Sequence, residues 1–227
     1  MARTYILSKR GLYSLDTNKM TIRLKTKNIY IIRHGQTDFN LQNRVQGRGI
    51  DSSINETGKS QAHAFFENFK HIPFDKIYVS NLKRTKETVQ SFIELGIPYE
   101  AHGGLDEISW GVHEGQAFDP EMHQVYLDTI AGWSQGKLDL TVGGGESPLE
   151  VVQRQRETME HILSNADEEH VLIATHGRAM RMLVCWLLNY PLEKMDGFVH
   201  ANLCLYQLRL SEGQFTVVQH GSTRHLE

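Results

Sequence analysis

Hydrophobic and polar positions run in two rhythms along this chain. Asn28 to Ile32 is a short β-branched and aromatic run that stops at Arg33-His34-Gly35, the pattern of a buried strand delivering polar residues at its C-terminal end. Val171 to Ala174 repeats the pattern and stops at Thr175-His176-Gly177. Between these runs the period changes. Ala62, Phe65, Phe66 and Phe69 recur at helical spacing, and Val89, Phe92 and Ile93 begin the same series, predicting helices that each lay one face on a sheet. Ser147-Pro148-Leu149-Glu150 is a capping box with proline at the first helical position, which predicts a helix from Pro148 to Ser164. Ala179 to Leu188 is rich in Met, Leu, Val and Trp and is stopped by Pro191, a further helix. Leu203 to Leu210 and Phe215 to Gln219, joined through Ser211 to Gln214, predict a closing hairpin.

Strands alternating with helices give an α/β class. Ligands of open α/β sheets bind beyond the carboxyl ends of strands, so two strands that each end in a histidine predict one shared site. The first 26 residues look different. Tyr5 to Leu15 and Thr21 to Leu24 carry short alternating runs, an edge ribbon or a loose extension ahead of a domain spanning 27–225. Met20 is a candidate native start, and Leu226-Glu227 are given no function.

Composition narrows the partners. A chain of 227 residues that is 40% apolar has enough material for one substantial core. A formal charge of −3 supplies no positive field for nucleic acid or an anionic membrane, so an anion must be caught locally. Cys185 and Cys204 have neither disulfide-framework nor zinc-ligand spacing, which leaves two reduced core thiols. No run approaches a membrane span and the N-terminus lacks an apolar signal region, so the expected location is cytoplasmic. A homodimer is left open.

Phosphoryl transfer asks for an in-line nucleophile, fixed positive charge and an acid for the leaving oxygen. His34 stands between Arg33, suited to a bidentate phosphate grip, and Gly35, which permits close backbone approach. An imidazole among guanidinium groups is expected to be neutral at pH 7 and so nucleophilic, because like charge disfavours its protonation. Taken alone, this triplet is weak, Arg84 reads as a solvated helix residue and Glu107 as an exposed loop carboxylate.

The run Arg33-His34-Gly35-Gln36-Thr37 followed by Asn40 resembles the signature of the histidine phosphatase (phosphoglycerate-mutase-like) superfamily. Gln46-Gly47, Ser80 to Thr85, Leu105-Asp106-Glu107, Glu114-Gly115, Gly145-Glu146-Ser147 and Thr175-His176-Gly177 follow in the family's order, over residues 28 to 188. The resemblance implies a three-layer α/β/α sandwich around a mostly parallel sheet, and no metal or other cofactor. It implies that His34 is phosphorylated, that Arg33, Arg84 and His176 complete the phosphate pocket with Asn40 as a further donor, and that Glu107 is the acid and then the base. Gln46, Gly47 and Gly177 join the expected substrate-binding set. Arg44 and Arg48 are candidates to reach an anion, Trp110 is a candidate apolar wall, and His113, in the loop beside Glu107, is a candidate substrate contact.

Gly111 to Ser147 offers one cation, Lys137, against Glu114, Asp119, Glu121, Asp128, Asp139 and Glu146, a balance that disfavours a polyanionic substrate. The expected activity is therefore hydrolysis of a small phosphomonoester, with a phosphoglycerate mutase as the alternative and a non-catalytic phosphate-binding module as the alternative of another class. Specificity is expected from loops around Arg44 to Asp51 and Gly111 to Gly145.

Overall fold

The computed structural model describes residues 4–8, 11–15, 26–117 and 119–227. Strands β1 (Thr4–Ser8) and β2 (Gly11–Leu15) pair antiparallel as a two-stranded sheet of their own. The expected run Thr21 to Leu24 and the candidate start Met20 lie outside the described residues.

The main sheet has six strands: β3 (Lys27–Arg33), β4 (Lys76–Val79), β5 (Tyr99–Ala101), β6 (His170–Thr175), β7 (Leu205–Ser211) and β8 (Gln214–Ser222). Their spatial order is β5-β4-β6-β3-β7-β8, with β5, β4, β6 and β3 parallel and the β7–β8 hairpin antiparallel. The hairpin turns at Glu212-Gly213, both at positive φ, as a tight turn matched to strand twist requires. Strand alternation divides the core in two. Ile29 and Ile31 face one cluster with Val171 and Ile173, whereas Tyr30 and Ile32 face the other with Leu172 and Ala174.

Helices cover both faces, giving the three layers. On the first lie α5 (Pro120–Ser134), α6 (Pro148–Ser164) and α7 (Gly177–Leu187), through Trp133, Val151, Met159, Met180 and Leu183. On the second lie α2 (Glu56–Phe69) and α4 (Gln90–Glu94), through Phe65 and Phe92, with α1 (Asp38–Leu41) and α3 (Lys83–Thr88) as short helices at the strand ends. The α6 capping box is formed: Ser147 Oγ accepts from Glu150 N, and Glu150 Oε2 accepts from Ser147 N at 2.8 Å.

Two expectations change. The helical series at Val89 is broken there, with α3 ending and α4 beginning on either side, and Thr88 turns its hydroxyl to the Arg84 carbonyl at 2.6 Å while accepting from Gly35 N at 2.9 Å. The segment Gly111 to Gly145, expected as loop, contains α5. Its start signal was present: Asp119 caps the helix through Met122 N, and Pro120 occupies the first turn.

Candidate active site

Register assembles the site. β3 and β6 are parallel neighbours with Arg33 opposite Thr175, so His34 and His176 leave the sheet side by side with ring centroids 5.1 Å apart, and His34 N donates to Thr175 O at 3.0 Å. β4, on the other side of β6, ends just before Ser80, and α3 then carries Arg84 inward. Three parallel strand ends thus supply two histidines and two arginines.

The floor is interlocked. Arg84 is wholly buried, donating from Nε to His176 Nδ1 at 3.1 Å and through its terminal nitrogens to the carbonyls of Ile50 and Gly47. His176 accepts at Nδ1, so its proton is on Nε2, which donates to Ser80 Oγ at 2.8 Å. His34 Nδ1 sits 2.7 Å from the carbonyl of its neighbour Gly35. A carbonyl can only accept, so Nδ1 carries the proton and Nε2 carries the lone pair. Burial holds the His34 pKa well below its ordinary value, with Arg84 and then Arg33 adding like-charge repulsion. The arginines are thus the second cause of the expected neutrality; desolvation is the first. His176 is held well below its ordinary value in the same way, by burial and then Arg84.

A cavity of about 190 Å³ opens over this floor, lined by Arg33, His34, Asn40, Arg44, Val45, Gln46, Glu107, Trp110 and Tyr126. Arg33 donates to His200 O at 2.6 Å, but its Nε is buried with no partner. Arg33 lines the cavity with His34, and this guanidinium, whose hydrogen-bonding capacity the protein leaves partly unfilled, is suited to an anion. Arg44 stacks over Phe39, donates to Gly115 O and likewise has a buried, unpartnered Nε. Asn40 Oδ1 accepts from Thr37 N and Asn202 Nδ2, which leaves the Asn40 Nδ2 as its remaining donor.

Glu107 is fixed at the N-terminus of α7. Its carboxylate accepts from Arg178 N at 3.1 Å, Ala179 N at 2.9 Å and Ile108 N at 3.0 Å. Trp110 is buried on the cavity wall, edge-on to Tyr126 at 5.4 Å. Gln46 holds Thr37 Oγ1 and Ser52 Oγ through the two ends of its amide.

Several expected roles are filled differently. Gly35 makes its close approach to the first turn of α2, where a Cβ would fall 2.7 Å from Gly58 O. Gly47 is bare because a Cβ would fall 2.2 Å from Glu114 Oε1; its carbonyl serves Arg84. Gly177 leaves room beside Arg33, whose Nε would be 3.3 Å from a Cβ there. Arg48 turns from the cavity to pair with Asp106 at 3.1 Å and Glu146 at 3.4 Å. His113 packs by Gly143 and is not among the cavity-lining residues. The acids of the intervening segment are partly structural: Glu114 accepts from Gly49 N and Trp110 N, and Glu146 pairs with Arg154.

Sequence reasoning missed four contributors. Tyr126 was lost with α5. Asn202 bridges the His34 carbonyl and Asn40, but no pattern marks it before the fold is known. Arg154 donates to the carbonyls of Gly103, Gly104, Asp106 and Glu107, suspending the loop that carries Glu107. Its signal was legible, a cation on the buried stripe of α6 between Val151 and Thr158. Arg178, paired with Asp196, reaches Tyr126 Oη at 3.3 Å.

Comparison with known proteins agrees with this geometry. The family model described as the histidine phosphatase superfamily (branch 1) matches residues 29–223. The chain is 32% identical over 179 residues to 6-phosphofructo-2-kinase/fructose-2,6-bisphosphatase 1 of Mus musculus, which covers 78% of this chain and 36% of that protein. It thus spans about a third of the length of the curated relatives it matches. Among solved structures it is similar to Bacillus stearothermophilus YhfR, with a TM-score of 0.78 and 27% identity over 88% of this chain and all of that one. The fold is also that of mycobacterial glucosyl-3-phosphoglycerate phosphatase Rv2419c, at TM-score 0.74 and 22% identity over 88% of this chain and all of that one. The chain belongs to branch 1 of the histidine phosphatase superfamily.

Proposed function

We propose that the chain hydrolyses a small phosphomonoester through a phosphohistidine on His34. The observation that carries this reading is the His34 ring itself: Nδ1 tied to the Gly35 carbonyl, Nε2 holding the lone pair, in one cavity with Arg33 and Glu107. In the first step Nε2 attacks phosphorus and the bond to the leaving oxygen breaks, with a proton supplied by Glu107. In the second, water attacks phosphorus, Glu107 takes its proton, the phosphorus–nitrogen bond breaks and neutral His34 is regenerated. The Arg33 guanidinium supplies the fixed positive charge for the phosphoryl oxygens, so neither step draws on a metal or other cofactor.

Substrate size follows from the cavity. At about 190 Å³ it is below the usual range for drug-sized ligands and suits a phosphoryl group with a compact substituent. The wall pairs Arg44 with the rings of Trp110 and Tyr126, so the substituent meets one cation and two aromatic faces. Relatives named as fructose-2,6-bisphosphatase and glucosyl-3-phosphoglycerate phosphatase support a phosphorylated metabolite, without selecting one.

The test is hydrolysis of an aryl phosphate and of a panel of phosphomonoesters in excess chelator, comparing wild type with His34→Ala. Wild type is expected to release phosphate and to yield an acid-labile phosphoryl adduct. His34→Ala is expected to lose at least about 10⁴-fold in kcat and all of the adduct. Activity retained in His34→Ala sinks the mechanism, and transfer between positions of a phosphoglycerate in place of release favours the mutase.

A further inference from the structure

The geometry points to a divalent transition-metal site of the zinc class at the outer edge of the sheet, formed by Glu100, His102 and His161. Among the described residues these three are the one group of three or more His, Cys, Asp or Glu side chains whose ligand atoms all lie within 4.8 Å of one another. They share no residue with the cavity lined by His34.

Strand geometry brings the first two ligands together. Glu100 is in the edge strand β5 and His102 follows it, and residues two apart along an extended chain point to the same side. His161 reaches them from the last turn of α6. His102 Nε2 lies 2.8 Å and His161 Nε2 3.1 Å from the same carboxylate oxygen, Glu100 Oε1, and the two imidazole rings are 5.0 Å apart between centroids. Zinc binds imidazole nitrogen and carboxylate oxygen at about 2.0–2.2 Å, so tetrahedral ligands stand roughly 3.4 Å from one another. The two oxygen–nitrogen separations are within about 0.6 Å of that spacing, and no pair of ligand atoms in the trio is more than 4.8 Å apart.

The surroundings favour a held ligand set. Lys76 Nζ is 3.3 Å from the other oxygen, Glu100 Oε2, which orients the carboxylate and leaves Oε1 toward the two histidines. Tyr78 packs its ring at 5.7 Å from that of His102 and 6.2 Å from that of His161, an aromatic wall behind both. Two imidazoles with one carboxylate suit zinc, nickel or copper over magnesium or calcium. With His161 45% exposed, solvent has access to fill the fourth position.

The site's place in the fold suggests its use. His102 directly precedes the Gly103–Leu105 turn, and Arg154 of the same helix α6 holds the carbonyls of Gly103 and Gly104 together with those of Asp106 and Glu107. A metal bridging β5 and α6 would brace the stretch that leads to Glu107, as a structural clamp outside the reaction.

The experiment uses the full chain after chelator treatment and desalting. Zinc is titrated against a chromophoric competitor, and cobalt is followed by its visible absorption, for wild type, His161→Ala, Glu100→Gln and His34→Ala. Expected are one high-affinity zinc per wild-type chain, a tetrahedral cobalt spectrum and a zinc-dependent rise in Tm. His161→Ala and Glu100→Gln should each weaken zinc at least about tenfold and abolish the rise in Tm, while His34→Ala binds as wild type. His161→Ala, at an exposed position, should keep the metal-free hydrolysis rate. Binding that survives both site variants, or is lost only in His34→Ala, overturns the proposal. So does a wild type that takes no zinc up to about 0.1 mM, which would leave the trio as an ion-pair cluster only.

Discussion

The floor and the wall of the cavity are built on different principles. The floor, His34, His176 and Arg84, comes from parallel strand ends and the helix after β4, is buried, and is interlocked by hydrogen bonds: Arg84 alone holds His176, Ile50 and Gly47. The wall, Arg44, Trp110 and Tyr126, comes from a loop, the residue that precedes a 3₁₀ turn at Gly111–His113, and α5, and rests on aromatic contacts and one guanidinium with a spare donor. An interlocked floor fixes the tautomer of each imidazole and leaves His34 Nε2 with its lone pair, so the proposed reaction is set where the backbone is least free to vary. The wall is free to change without disturbing that register, and the proposed function places substrate choice there.

Glu107 joins the two regions and gives the sharpest test of the division. Glu107→Gln keeps an oxygen for the α7 N–H groups but loses the transferable proton. It should slow alkyl phosphates by about 10²–10⁴-fold in kcat and aryl phosphates, whose leaving oxygen needs little protonation, far less. Equal losses on both classes, measured by steady-state kinetics, would remove the acid from the floor's chemistry.

Arg84→Met should reduce stability by about 3 kcal/mol in urea unfolding, because the buried Gly47 carbonyl, the half-buried Ile50 carbonyl and His176 Nδ1 lose their donor, with activity falling alongside. A stable but inactive Arg84→Met would make this residue a purely electrostatic group and break the claim of an interlocked floor. Tyr126→Ala should do the opposite. It should raise KM about tenfold for substrates with a bulky substituent and leave kcat on a small aryl phosphate near wild type. A collapse in kcat would move Tyr126 from the wall into the chemistry.

The smallest effects are those of pH. Burial and two arginines hold His34 well below its ordinary value of 6.5, so kcat/KM on an aryl phosphate should show no loss assignable to its protonation as pH falls through 6.5. The substrate's own titration near pH 6 is measured and divided out. Folding stability follows the same sign. The unfolded chain takes up protons on His34 and His176 near pH 6.5 and the folded chain does not, so the stability present above that pH is lost progressively below it. A urea midpoint that is flat from pH 7 to pH 5 would show that these rings are not neutral in the fold.

Much of this arrangement was legible beforehand, and the reasons differ by element. The strands at β3 and β6 were visible because buried parallel strands are continuous apolar runs, and α6 because its cap is chemically explicit. β4 and β5 passed unseen because four and three residues are too few to show a period. α5 announces itself only at its start, in Asp119-Pro120, because its buried positions are Thr129, Gly132 and Trp133 and form no long apolar stripe.

The sequence by itself determined the local choices: which segments are strand or helix, where α6 begins, and that Arg33, His34 and His176 stand at strand ends. Those depend on side chains within a few residues of one another. Only the tertiary structure decided that β3 and β6 are neighbours in register, that Arg48 turns away to Asp106 while Arg44 lines the cavity, and that Asn202 braces His34 from 168 residues away. Hydrogen bonding across such separations leaves no periodic trace in the chain, because its partners are chosen by packing and not by sequence distance.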